Sequence, residues 1–328
     1  MMRRVFLGGA SRAFAMMALA FWAVSAAAAD FPDRVVRVVV PQGPGGGTDL
    51  VARLIAQRLS PRLGQPVIVD NKPGGGTQLG TEYVANAPAD GYTVLMTASP
   101  VVLLPYLRKT RFDFIRDFVP IGQVGVGNFA LVVNPKLPFR TTEEFFKAVR
   151  ANPGKYTFGS AGVGSAGHLA LELLKARADM DLVHVPYRSA GEVATAVASG
   201  QVDSSIDNLT TEKPQIDAQN VRGLATTGQD RDPGLATLPT INELKLVPGG
   251  YVMTYWYGMF VSTRTPAPVV DRLRRDFAVV MSDPGMAEQL RKMSLVPSTF
   301  SAEAFGTSLA EEASMWRRVI SDARIEMP

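Results

Sequence analysis

From residue 35 onward, short runs of β-branched residues alternate with stretches whose apolar positions recur every three or four residues, the periods of strand and amphipathic helix. Residues 35–40 predict a first strand, and Val51, Leu54, Ile55 and Leu59 then fall on one face of a helix. A second strand is expected over 67–69, a helix over 79–87 and a third strand over 93–97. Pro61, Pro66, Pro73 and Pro88 are expected between elements, where a missing amide proton costs least. The periodicity weakens from Phe112, and a second alternation then begins. It predicts a strand over 130–133, a helix over 142–150 that Thr141 or Thr142 can cap, a strand over 156–159 and a helix over 169–176. Segments 182–185, 193–198, 202–206 and 222–226 extend it; a strand-like run over 253–261 follows, then helical patterns over 269–281, 286–293 and 305–323. Such alternation is the mark of an α/β protein with parallel strands, and the late return of the chain predicts two lobes joined by at least two crossings.

The first residues change the charge picture. Arg3 and Arg4 precede an uncharged stretch over 13–24, and Ala27, Ala28 and Ala29 precede Asp30, the plan of a secretory signal peptide with an A-x-A cleavage site. The apolar stretch is short of the ~20 residues a membrane span needs. Met2 to Leu7 also fits a twin-arginine signal, so either export route is open. The chain has 34 basic and 30 acidic residues; losing residues 1–29 removes Arg3, Arg4 and Arg12 and no acid, leaving 31 against 30. A nearly neutral exported protein offers no electrostatic case for nucleic acid. With no cysteine there is neither disulfide nor lipid anchor, so stability must come from a core that 46% hydrophobic residues can supply. The expected division is a signal peptide over 1–29, one domain from 30–125 plus 228–328, and a second over 126–227.

The chemistry concentrates in glycine-rich loops that run from strand into helix. In "PQGPGGGTDL", Gly45, Gly46 and Gly47 permit close backbone approach, and Thr48 can cap the helix or donate its hydroxyl. The first amides of a helix lack partners and sit at the positive end of its dipole, which makes such a loop an anion site. No Gly-Lys-Ser/Thr follows, and G-x-G-x-x-T is not the dinucleotide fingerprint, so the nucleotide readings fail. A second loop, "FGSAGVGSAGHLALELLKA", places Ser160 and Ser165 in the turn and His168 in the first helical turn. Two such loops, one per lobe, can face each other across a cleft at the carboxyl ends of the strands and hold a carboxylate without an arginine.

A serine hydrolase acting through Ser165 is the rival. The nucleophile elbow requires G-x-S-x-G, whereas Phe158 precedes Ser160 and Val163 precedes Ser165 by two residues. His168 follows Ser165 by three residues and shares its helical start instead of facing it as a base. His168 can instead be a plain first-turn polar residue or touch a ligand, and two histidines without cysteine make no zinc site. A third loop, "NKPGGGTQLG", presents Gln78, which can donate to a carboxylate or carbonyl or simply begin a helix. Thr97 and Ser99 end the third strand on the same expected edge. Asp207, closing the 202–206 strand with Asn208, can accept from a ligand amine or water or cap the next helix. Asp49 and Glu82 read as first-turn structural acids. Tyr251, Tyr255, Trp256, Tyr257 and Phe260 read mainly as core, with one or two of them at the cleft.

With these loops in place the chain resembles the extracytoplasmic solute-binding proteins of the tripartite tricarboxylate transporter type, the Bug or TctC-like family. The resemblance rests on "RVVRVVVPQGPGGGTDLVARLIAQRLSPRLGQPVIVDNKPGGGTQLGTEYVANAPADGYTVLM", "FGSAGVGSAGHLALELLKARADMDLVHVPYRSAGEVATAVASGQVDSSIDN", "LPTINEL" and "WRRVISDARI", and it covers essentially all of residues 31–324. It implies a type II-like periplasmic-binding-protein fold, two Rossmann-like domains joined by crossover strands around a cleft. It also implies a monomeric periplasmic protein, not an enzyme and without cofactor or metal. Such a protein captures a di- or tricarboxylate, amino acid or aromatic acid and delivers it to membrane permease subunits; a sensory role that presents the liganded form to a membrane receptor is the alternative. Carried onto this sequence, the family's carboxylate clamp falls on Gly46, Gly47 and Thr48 from one lobe and Ser160, Ala161, Gly164 and Ser165 from the other. Position 42, where family patterns often carry an aromatic, is Gln42 here.

Overall fold

The structure, a computed structural model, describes residues 31–107 and 109–322, so the expected signal segment over 1–29 lies outside the described residues. The chain builds β1 (Val36–Val40), α1 (Gly47–Leu63), β2 (Val67–Asn71), α2 (Gln78–Asn86) and β3 (Thr93–Ala98). After a 3₁₀ turn over Ser99–Leu103 and two short helical turns comes β4 (Phe118–Val133), followed by α3 (Thr142–Ala151), β5 (Thr157–Ser160) and α4 (Ala166–Ala178). Next come β6 (Val183–Pro186), α5 (Ala190–Ser199), β7 (Ser204–Asn208), α6 (Leu209–Asp217) and β8 (Arg222–Thr226). The chain returns through β9 (Thr254–Ser262) to α7 (Ala267–Met281), α8 (Pro284–Lys292), β10 (Leu295–Pro297) and α9 (Ala302–Asp322).

The strand order is β2-β1-β3-β9-β4-β7-β5-β6, with β8 and β10 pairing to β4 off that path. β1 is parallel to β2 and β3, and β5 is parallel to β6 and β7, as expected of two α/β units. The joining strands are antiparallel: β9 pairs β3 and the first part of β4, and β7 pairs the last part. β4 therefore belongs to both lobes. Its residues 118–128 lie against β9, and from Phe129 it lies against β7 and then β8.

Most elements fall where periodicity puts them. Val51, Ile55 and Leu59 are buried on the inner face of α1 and Leu54 packs partly beside them, against Val36, Val38 and Val40 of β1. Each such side chain contributes about 1.5–3 kcal/mol relative to exposure. Thr141 caps α3 in a reciprocal capping box with Glu144. Pro61 differs from expectation, since it lies inside the last turn of α1, which runs on to Leu63 before Gly64 closes it at φ 71°. The larger difference is β4, expected only over 130–133. Gly122, Gly125 and Gly127 hide its strand pattern, yet the packing requires small residues, because Phe277 and Tyr255 press against the backbone at Gly122 and Gly127. Register shifts at Pro120/Gly122 and Gln123/Gly125 break the alternation further.

Candidate functional site

Two loops and four helix starts build the cleft. α1 begins at the N-cap Gly46, which has no side chain to cap it. The loop before it is fixed by Asp49, whose carboxylate accepts from Gly45 N at 3.0 Å, Asn71 Nδ2 at 3.0 Å and Arg53 Nε at 3.0 Å. Burial pushes the Asp49 carboxyl up, but the hydrogen bonds from Arg53, Gly45 and Asn71 outweigh it and hold the group below its usual range. Thr48 donates to Gln42 Oε1 at 2.5 Å. At Gly47 a Cβ would overlap Tyr257 Oη and Asn208 Oδ1, so only glycine lets the helix start approach this closely.

The second loop is braced by its histidines. Ser165 caps α4 by accepting from His168 N at 3.4 Å. Gly164 N donates to His168 Nδ1 at 3.1 Å, and the His168 ring stacks on His184 with centroids 4.1 Å apart. His184 Nε2 meets Ser160 Oγ at 2.6 Å. Burial, with a lesser push from Lys175, lowers the His184 pKa to about 4, so this imidazole is neutral at ordinary pH.

The lobes touch along a narrow seam. Gly43 N donates to Arg188 O at 3.3 Å, a Cβ on Gly46 would lie 3.7 Å from Ala190 N, and Gly76 abuts Val163 O. Inside the seam lies a cavity of about 30 Å³. Its walls include Thr48 at the start of α1, Ala166 and Gly167 at the start of α4, Ala190 at the start of α5 and Asn208, the N-cap of α6. Gln42, Ala161, Ser165, Phe129, Asp207, Tyr255 and Tyr257 complete most of the rest, and no lysine, arginine or histidine is among the walls. Four helix starts border one space, an arrangement whose backbone amides and dipoles can hold an anion, although at α6 the amides of Thr210 and Thr211 already donate to Tyr255 Oη and Asn208 Oδ1. A wider chamber of about 350 Å³ shares Gln42 and Ala161 with it and is walled by residues 73–77, Gly162, Val163, Tyr187 and Arg188. A larger concavity, about 680 Å³, runs along the seam between Pro44, Gly45 and Leu50 and the residues of α5 and α6, sharing Tyr187 with that chamber.

One acid stands among the cavity walls. Asp207 Oδ1 accepts from Asn208 N at 2.7 Å and Asn208 Nδ2 at 2.6 Å, whereas Oδ2 accepts no hydrogen bond from the described residues. Burial raises its pKa to about 6 against the pull of Asn208. Glu212 behind it is fully buried with neither carboxyl oxygen bonded, and burial followed by the charge of Asp207 pushes it well above the usual range.

Of the residues expected at the site, Thr48, Ala161, Ser165 and Asp207 are cavity walls. Gly46, Gly47 and Gly164 supply backbone beside them. Ser160 and His168 lie behind the second loop, joined through His184. Thr97 is buried in β3, its hydroxyl without a hydrogen-bond partner among the described residues, and is not a wall. Gln78 Nε2 donates to Glu82 Oε1 at 2.8 Å and Lys109 O at 3.3 Å, outside the cavity. Phe129, Pro100 and Ala190 are walls that the sequence did not single out. For Phe129 no local signal exists: it faces Asn208 only because β4 changes partner there. Tyr255 and Tyr257 carried a signal, two aromatics at strand spacing.

The model for the tripartite tricarboxylate transporter family receptor matches residues 51–325. The chain is 36% identical over 296 residues to the UPF0065 protein in the tcbD-tcbE intergenic region of Pseudomonas sp. strain P51, covering 90% of this chain and 88% of that one. The periplasmic binding protein BugD superposes with a TM-score of 0.86 at 31% identity, over 90% of this chain and 99% of its own. R. palustris Rpa4515 with adipate superposes with a TM-score of 0.86 at 33% identity and the same coverage. With the two-lobed fold and the helix-start cleft, these likenesses place the chain in the tripartite tricarboxylate transporter receptor family.

Proposed function

We propose that this protein is an exported receptor that closes on a small carboxylate-bearing solute and hands it to permease subunits in the membrane. The carrying observation is the cavity at the seam, walled from both lobes by helix starts and by the hydroxyls of Thr48 and Ser165. In this reading Gly46, Gly47 and Thr48 hold one side of a carboxylate, Ala161, Gly164 and Ser165 the other, and Asp207 a neighbouring group; Ser160 and His168 support the second loop from behind, and the 350 Å³ chamber takes the distal end. Periplasmic location and a cleaved segment over 1–29 belong to the same reading. BugD as a periplasmic binding protein supports it, and so does a chain in which no described helix is long and apolar enough to cross a membrane.

Ligand-stripped protein should be screened by thermal shift against mono-, di- and tricarboxylates, aromatic acids and amino acids. At least one acid at 100 times its Kd should add about 2.7 kcal/mol to stability. No shift with any acid sinks the proposal. The Ser160–His184 contact at 2.6 Å favours one other reading, ester hydrolysis through Ser160. Ser160 is fully buried, and no carboxylate among the described residues bonds the other nitrogen of His184. Turnover of a simple ester that disappears in Ser160→Ala would favour hydrolysis over binding.

A further inference from the structure

The acid in the cavity wall is at odds with a site for a carboxylate and nothing else. Asp207 is 4% exposed, one of its oxygens is held twice by Asn208, and the other accepts nothing from the described residues. Native proteins seldom leave a buried acceptor unmatched, because the desolvation is then uncompensated. Glu212, close enough to repel it though not itself a wall, is likewise unbonded, so three carboxyl oxygens at or behind this wall accept nothing from the described residues, and no described lysine, arginine or histidine lines the cavity. A ligand carboxylate alone would meet like charge at this wall. The polar groups of the other walls include helix starts and the hydroxyls of Ser165 and Tyr257, whereas the Thr48 hydroxyl already donates to Gln42 Oε1 and Ala98, Pro100 and Phe129 are apolar.

Scale fixes where the matching donor sits on the ligand. The cavity that Thr48, Ser165 and Asp207 share is about 30 Å³, room for only a few ligand atoms. Ligand atoms that meet both the donor walls and Asp207 must belong to one carboxylate and the carbon beside it. Resting on the reading of this cleft as a carboxylate site, we propose that Asp207 selects acids bearing a hydrogen-bond donor, hydroxyl or ammonium, on the carbon next to the clamped carboxylate.

The test uses titration calorimetry on the ligand-stripped protein with matched triplets. These are succinate, malate and aspartate; adipate, 2-hydroxyadipate and 2-aminoadipate; and phenylacetate, mandelate and phenylglycine. In whichever triplet binds, a donor-bearing member should bind about tenfold or more tighter than the plain acid. The hydroxy member leading assigns a hydroxyl, the amino member an ammonium group. Asp207→Ala should bring the members to within about threefold, and Asp207→Asn, which keeps the volume, should narrow the gap if the alanine variant does not fold. A plain acid that binds as tightly as its partners overturns the inference and leaves the carboxylate receptor standing. A preference that survives both substitutions overturns it too, and failure of every acid to bind sinks the receptor as well.

Discussion

Asp207 makes the stability of the unliganded protein depend on pH in an unusual direction. Burial holds its pKa at about 6 in the folded chain against 3.8 for a free aspartate side chain, so between those values the folded state binds more protons than the unfolded one. Stability is therefore fully present below the unfolded value and falls as pH rises through the folded value, by about 3 kcal/mol in all. Glu212, raised well above the usual range, acts in the same direction, and the other titratable groups that feel the charge of Asp207 are the phenols of Tyr255 and Tyr257, which burial raises. Asp207→Asn removes the titration, so chemical denaturation should find its stability gain over wild type larger at pH 7.5 than at pH 5. A gain that is flat with pH would show that Asp207 does not titrate in this range. At this scale the sequence was half legible. Thr48 and Ser165 stand out because glycine-flanked hydroxyls before a helix are a local pattern. The fate of Ser160 is not local, since its hydroxyl is turned to His184, 24 residues on, across the β5–β6 pair.

The elements were more legible than their joints. α1, α3 and α7 announce themselves through one apolar face, whereas β4 does not, because its glycines answer to Phe277 and Tyr255 from elsewhere in the chain. β4 is also where the joint lies. At Phe129, where β4 leaves β9 for β7, the backbone N–H donates to Thr227 Oγ1 at 3.0 Å and the carbonyl accepts from Thr227 N at 3.1 Å. Thr227 Oγ1 in turn donates to Met253 O at 2.7 Å, and Met253 N donates to Thr227 O at 2.9 Å. One buried threonine thus ties three passages of chain together beside a residue that walls the cavity. Thr227→Val keeps the shape and strands the Phe129 amide, so it should cost about 1–3 kcal/mol of stability. If the tie also sets how the lobes meet, ligand affinity should fall with it while Thr142→Val, which loses a buried hydroxyl bond to Leu224 O away from the cleft, lowers stability alone. Equal affinity losses in both variants, measured by calorimetry, would reduce Thr227 to an ordinary buried hydrogen bond.

For the whole molecule, two lobes follow from two alternations and a returning chain, but the state in which they meet is a matter of a few close approaches. Gly76 from one lobe lies against Val163 O of the other, nearer than any side chain permits. A ligand held by both lobes favours this arrangement by its differential affinity, and a group that occupies the seam opposes it. Gly76→Ala should act as such a wedge. The substitution also places alanine at φ 57°, a backbone penalty of roughly 1–2 kcal/mol, so lost stability alone would prove nothing. Gly45→Ala supplies the control: its φ is 81°, the penalty is alike, and its Cβ would meet nothing within 4 Å. Both variants should lose similar stability without ligand. Only Gly76→Ala should lose ligand affinity by about tenfold or more, and only it should keep the larger radius of gyration in small-angle scattering when a binding acid is added. Were the two variants to bind and contract alike, the seam at Gly76 would not be part of closure, and the energy that brings the lobes together would have to come from the cavity walls alone.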